Sequence, residues 1–315
     1  MAAGTLALAA TDGPALAQDT TYPHKGNIEL TVLFPAGSSA DVTARILADG
    51  LSRQLAANVV VVNRPGAGGA IGYRYVAAQK PDGYSLVWSS NSISTTYHAG
   101  ELPFDYRAFD AVARVLVESP LLVVRADAPW KSLQDLVADA RARPGHITVG
   151  NSGAGSHTHI CSVALFHAAG AQVIDVPFAG AQVVPSLLGG HVDALLQLPG
   201  ALSSYLASGQ MRALAALVPQ RDPTLPNIPT AREQGIDASL EAWRGIAVPR
   251  GTPRPLIAIL EAAIKRVVAE PSFAAASARL GVRPSFLSGS ALQDLIAKED
   301  GELGELMRLI GLDKQ

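Results

Sequence analysis

A short apolar run, Ile28-Glu29-Leu30-Thr31-Val32-Leu33-Phe34, halts at Pro35-Ala36-Gly37-Ser38-Ser39-Ala40-Asp41, and a helical repeat begins at once. Alternation in the first segment reads as a strand, and Val42, Ile46, Leu47, Leu51 and Leu55 recur at helical spacing in the second. Pro35 and Gly37 break the strand, and Ser38, Ser39 or Asp41 can cap the helix. A strand, a turn of small residues and a helix leave several backbone N–H groups directed out of the helix start. Together with the helix dipole they favour a negatively charged guest. A plain capped turn uses the same residues, so this stretch constrains architecture more tightly than it constrains a ligand.

The pattern recurs. Strands are expected over 59–62, 84–88, 121–124, 147–150, 173–176, 192–196, 211–217 and 243–249, with helices between most of them and two more over 255–269 and 290–310. Alternating strands and helices indicate an α/β fold with parallel sheets. With 315 residues, 48% of them apolar, the chain can fill two domains. We expect two lobes joined by two crossing strands near 121–124 and 245–248. Lobe 1 would comprise 22–122 plus 246–315 and lobe 2 would comprise 123–245. Small-residue turns at 34–41, 151–156 and 176–182 would then stand at the carboxyl ends of strands, where open α/β sheets bind ligands.

Several chemistries are poorly supported. The glycines at 66–69 miss the dinucleotide spacing, because Ile71 stands where a third glycine is needed, and no phosphate-loop lysine follows. Gly150-Asn151-Ser152-Gly153-Ala154 resembles a nucleophile elbow but has Ala154 in place of its last glycine, so a hydrolase built on Ser152 is a remote alternative. Among His157, His159 and Cys161 only the first and last can share a helix face, and no zinc-type pairing occurs elsewhere. No metal, cofactor or catalytic set is therefore expected. A net charge of −2 with both signs interspersed argues against a nucleic-acid partner. Cys161 is the sole cysteine, so no internal disulfide can form. The apolar patch at 6–10, and Ala15-Leu16-Ala17 before Gln18, fit the remnant of an export signal over 1–21 that lacks its basic start. It is too short to span a membrane, and no later segment reaches that length, so an exported, soluble protein is expected.

Eight motifs in one order resemble the Bug family of periplasmic solute-binding proteins, which serve tripartite tricarboxylate transporters. They are Tyr22-Pro23-x-Lys25, Phe34-Pro35-x-Gly37-x-x-x-Asp41, Asn63-Arg64-Pro65-Gly66-Ala67-Gly68-Gly69 and Pro81-Asp82-Gly83-Tyr84 in the first half. Gly155-Ser156-x-x-His159, Val176-Pro177-Phe178-x-Gly180, Leu187-Leu188-Gly189-Gly190-x-Val192-Asp193 and Trp243-x-Gly245-x-x-x-Pro249 follow. The resemblance covers almost the whole chain beyond the signal remnant. It implies a two-lobed periplasmic-binding-protein fold (Venus-flytrap, type II-like) that captures a small carboxylate between its lobes and delivers it to membrane permease subunits. A monomer is expected, with a sensor kinase as an alternative partner. Carried over by position, Ala36, Gly37, Ser38, Ser39, Ala40 and Asp41 would clamp the carboxylate, with Ser90 and Asn91 on the same lobe. Ser156, His157, Thr158 and His159, and Phe178, Ala179, Gly180 and Ala181, would face them from the other. Neither loop 34–41 nor loop 176–182 holds Lys or Arg, so the acid is expected to rest on backbone donors and helix starts without a basic side chain. Two departures stand out. Ala36, Ser38 and Ser39 replace the family's second proline and glycine run, and Phe178 and Ala179 replace a tyrosine and a basic residue. The second change makes the closing face more apolar, which suits an aromatic or less charged acid; drift within an unchanged ligand class accounts for the same residues equally well.

Overall fold

The computed structural model describes residues 22–23, 26–178 and 182–314. The expected signal remnant at 1–21, Lys25, and the candidate ligand residues Ala179, Gly180 and Ala181 lie outside the described residues.

The first third runs β1 (Ile28–Val32), α1 (Ser39–Leu55), β2 (Val59–Asn63), α2 (Ala70–Ala77), β3 (Ser85–Ser90), α3 (Ser92–His98) and β4 (Phe109–Glu118). The middle holds β5 (Leu121–Arg125), α4 (Leu133–Ala142), β6 (Thr148–Asn151), α5 (His157–Ala168), β7 (Ile174–Pro177), α6 (Val183–Leu188), β8 (Ala194–Gln197), α7 (Ser203–Ala207) and β9 (Met211–Ala216). The chain ends with β10 (Ala242–Pro249), α8 (Arg254–Val268), α9 (Pro271–Arg279), β11 (Arg283–Ser288) and α10 (Gly289–Leu309).

Two sheets result, ordered β11-β4-β10-β3-β1-β2 and β7-β6-β8-β5-β9. Both are mixed, where parallel sheets were expected. β1 pairs in parallel with β2 and β3, and β6 with β7 and β8, but β10 and β5 run antiparallel to both of their neighbours. The reversal follows from the crossings. A chain that leaves one sheet and returns after building the other re-enters without a crossover helix to keep it parallel. All of β5 pairs within the second sheet and all of β10 within the first, so the passages fall at Ser119-Pro120 and between β9 and Ala242.

Side-chain alternation explains why β5 sits in the middle of its sheet. Leu122 and Val124 enter the core on one face with α4 and α5, while Leu121 and Val123 enter the core on the other with α6. Helices α8 to α10 return to the first lobe, where Leu260, Ile264, Val267, Phe273 and Leu292 join the core behind the first sheet. Strands β4 and β11 were not expected. β4 carries Asp110 and Arg114 within its apolar run, and β11 contains Pro284 and shifts register beside it.

The lobes meet along one seam. The turn 66–69, whose glycines miss the dinucleotide spacing, carries Gly68 at φ +62° with its α-carbon against the second lobe. A β-carbon there would lie 2.8 Å from the Ala154 carbonyl oxygen. Ile160 of α5 packs in a small cluster with Ala99 and Met307 of the first lobe.

Candidate ligand-binding cleft

The first wall is the start of α1. Gly37 takes φ +79°, which turns the chain out of β1, and the Ser38 amide donates to the Pro35 carbonyl at 3.1 Å. Ser38 is the cap, its Oγ accepting from the Asp41 amide at 3.2 Å. Asp41 bends back into its own turn. Its Oδ2 accepts from the Gly37 amide at 2.9 Å, while Oδ1 accepts from Asn63 Nδ2 at 3.0 Å and pairs with Arg45 at 2.8 Å. Burial pushes its carboxyl upward, but those hydrogen bonds outweigh it and hold Asp41 below the usual carboxylate range. Asp41 therefore shapes the turn and lines no part of the cleft. The Ser39 and Ala40 amides have no partner within the helix and stand at the cleft wall.

The second lobe presents the same construction at the start of α5. Ser156 caps the helix, its Oγ accepting from the His159 amide at 3.3 Å, and the Ser152 amide donates to Thr158 Oγ1 at 3.0 Å. The His157 and Thr158 amides are left for the cleft. His159 faces inward: its Nδ1 accepts from the Gly155 amide at 3.2 Å, and burial pushes its pKa down against the pull of Asp175. Of the two histidines only His157 reaches the cleft. The Leu240 carbonyl lies 3.0 Å from its Nε2 and can only accept, so Nε2 carries the proton and Nδ1 is a bare, buried acceptor with no partner among the described residues. Burial first, and the Arg244 charge second, push His157 down to about 4, so the ring is neutral at pH 7.

One basic side chain does reach the site, contrary to the expectation that none would. Arg244 of β10 is 3% exposed and lines the cleft. Its Nε donates to Glu118 Oε2 at 3.0 Å, the other Glu118 oxygen accepts from Ser39 Oγ, and the guanidinium lies 5.6 Å from the centre of the Phe34 ring. The charge is thus balanced by a carboxylate that has no exposure of its own. Ser39, Glu118 and Arg244 tie α1, the end of β4 and β10 together just where the chain leaves the first lobe.

The cleft has two parts. An inner pocket of about 20 Å³, room for roughly one water, lies among Ser38, Ser39, Ala40, Ser90 and Asn91 on one side and Ser156, His157 and Thr158 on the other. Asn91 uses its side chain elsewhere, accepting from the Trp243 amide and donating to Glu299, so it offers this pocket no free amide group. An outer chamber of about 210 Å³ shares Phe34, Ser38, Ser152 and Gln197 with the inner pocket, and Ala36 and Gly37 line it. Its far wall is Val183, Val184 and Pro185 of α6 with Ala201 and Tyr205. Phe178 lines neither part; its ring packs over Gly150, and its amide donates to the Asn151 carbonyl at 3.1 Å. Ser152 Oγ accepts from Gln197 Nε2 at 2.8 Å, and among the described residues no histidine is bonded to it, whereas an attacking serine is activated by an adjacent base.

The model of the tripartite tricarboxylate transporter family receptor matches residues 43–312. The chain belongs to that family. It is 33% identical to BugT of Bordetella pertussis over 285 residues, which spans 89% of this chain and 87% of the relative. Among solved structures it is similar to the periplasmic binding protein BugD, with a TM-score of 0.87 and 29% identity over 92% of this chain and 99% of that one. It is also similar to Rpa4515 of R. palustris solved with adipate, with a TM-score of 0.86 and 27% identity over 90% and 97% of the two chains. As a member of this family the protein is a two-lobed α/β solute-binding receptor of a tripartite tricarboxylate-type transporter. No helix among the described residues is long and apolar enough to cross a membrane.

Lining residues outside the family motifs follow a recognisable rule, although Ser152 drew attention only as part of an incomplete nucleophile elbow. Gln197 ends β8 and Ser152 follows β6, both at carboxyl ends of strands in one sheet. Arg244 had no such signal, because its strand is antiparallel to its neighbours and presents its amino end to the cleft, where Arg244 pairs with Ser90 at the carboxyl end of β3.

Proposed function

We propose that the protein is exported to the periplasm and holds a small organic carboxylate in this cleft. Closure of the two lobes over the acid would create the surface that the permease subunits recognise. The observation that carries this reading is the convergence of two serine-capped helix starts, α1 from one lobe and α5 from the other, on one pocket. Each supplies two amides without an internal partner, and both dipoles present their positive ends to the same small volume. Arg244 adds positive potential, and Glu118 keeps the empty site close to neutral. Rpa4515 with adipate is a relative of the same fold that holds an acid. Nothing in the site favours chemistry, and a receptor needs none.

We place the lobe boundaries at Ser119-Pro120 and next to Ala242, a few residues before those read from sequence, and take the receptor to act as a monomer. Binding of an acid to the folded state alone raises the melting temperature by mass action, about 2.7 kcal/mol of stabilisation at a hundredfold excess over Kd. Differential scanning fluorimetry against a panel of mono-, di- and aromatic acids should show an upshift with at least one of them. A flat panel, with no compaction in solution scattering, would contradict the proposal.

A further inference from the structure

The shape of the cleft goes further than its family. Resting on the carboxylate reading above, we infer that the ligand is a monocarboxylate carrying one compact apolar body, of the size of a single six-membered ring, and not a dicarboxylate.

The two parts of the cleft differ in chemistry. Every unpartnered backbone donor described above, and the guanidinium of Arg244, belong to the inner pocket. That pocket can take one carboxylate as the lobes part and re-close. Two cavities continue it among the described residues: one shares Asn91 and His157 with it but is lined by Glu241, Glu299 and Glu302, which repel an acid, and the other is the outer chamber, which shares Phe34, Ser38, Ser152 and Gln197. Among the described residues its lining contains no charged side chain. Residues 178–182, which precede α6 in the chain, read Phe-Ala-Gly-Ala-Gln and include no Lys or Arg. The chamber walls are Val183, Val184, Pro185 and Ala201, with the rings of Phe34 and Tyr205.

A second carboxylate placed there would lose its hydration with no cation to replace it, which is unfavourable for a charged group. An apolar body gains from the same walls. Size supports the assignment. A cavity of about 150 Å³ lined by apolar side chains is enough to hold benzene, so about 210 Å³ has room for one ring.

The test compares six acids by titration calorimetry on the intact protein: benzoate, phenylacetate and cyclohexanecarboxylate against succinate, malate and adipate. We expect the best ring acid to bind at least about tenfold tighter than the best dicarboxylate, a difference of about 1.4 kcal/mol. Val184→Arg, which places a cation on the half-buried face of α6, should narrow or reverse that ratio by weakening the ring acids and strengthening the dicarboxylates. Dicarboxylates binding as tightly as ring acids to the unaltered protein would overturn this inference while leaving the carboxylate reading intact. No heat with any of the six would overturn both.

Discussion

Replacing Gly200 by alanine probes lobe closure with the least collateral change. Gly200 sits in the short 3-10 turn Pro199–Ala201 of the second lobe, directly against the first residue of α1. A β-carbon on it would approach both Cα and Cβ of Ser39 to 3.1 Å, tighter than an ordinary contact, and would press harder still on the Ser39 hydroxyl. Its φ lies outside the left-handed region, so alanine introduces no backbone strain and each lobe should fold as before. The penalty falls only on the arrangement in which the lobes touch. Overpacking of this kind costs about 1–3 kcal/mol. Because the competent state is the closed one, the cost appears in binding, as an affinity about 5- to 150-fold weaker. Calorimetry with whichever acid binds, joined to small-angle scattering with and without it, reads both effects. The variant should keep its unliganded melting temperature and show reduced compaction at a given acid concentration. Unchanged affinity with full compaction would refute the reasoning that the observed seam is the ligand-bearing one.

Two further substitutions report on the buried charges. Glu118→Gln leaves the Arg244 guanidinium buried without its counter-charge, and should destabilise the protein by about 3–5 kcal/mol in urea unfolding; a loss near zero would mean that solvent already reaches the pair. His157 makes a pH prediction whose sign is fixed by its lowered pKa. The unfolded ring takes up a proton near 6.5 and the folded ring only near 4, so the contribution is whole above the first value and is lost as pH falls toward the second. His157→Gln should therefore flatten the stability profile between those limits, by about 3 kcal/mol across the window; a profile as steep as that of the parent would assign the slope to other groups.

The parts of this site that were legible in the sequence are those made by local chemistry. Pro35, Gly37 and Ser38 dictate a strand end, a left-handed turn and a helix cap within a few residues, and Gly155 and Ser156 do the same at α5. Asp41 shows where local reading and tertiary geometry differ. Its position in the motif is that of a ligand residue, but Gly37, Asn63 and Arg45 occupy its carboxylate. What could not be read was set by tertiary pairing. Arg244 reaches the cleft because β10 re-enters between β3 and β4, and its partner Glu118 lies more than a hundred residues earlier in the chain. The apolar chamber is assembled from β1's exit, α6 and α7, and no periodicity within any one of them announces a shared surface.

The central claim is that four backbone amides, those of Ser39 and Ala40 in one lobe and His157 and Thr158 in the other, grip the acid together. Amide proton and nitrogen shifts of these residues, followed by NMR while a binding acid is titrated, test it directly. The account predicts that all four move together, downfield in the proton dimension, and saturate at the calorimetric stoichiometry. Saturable binding that leaves these four resonances in place would contradict it.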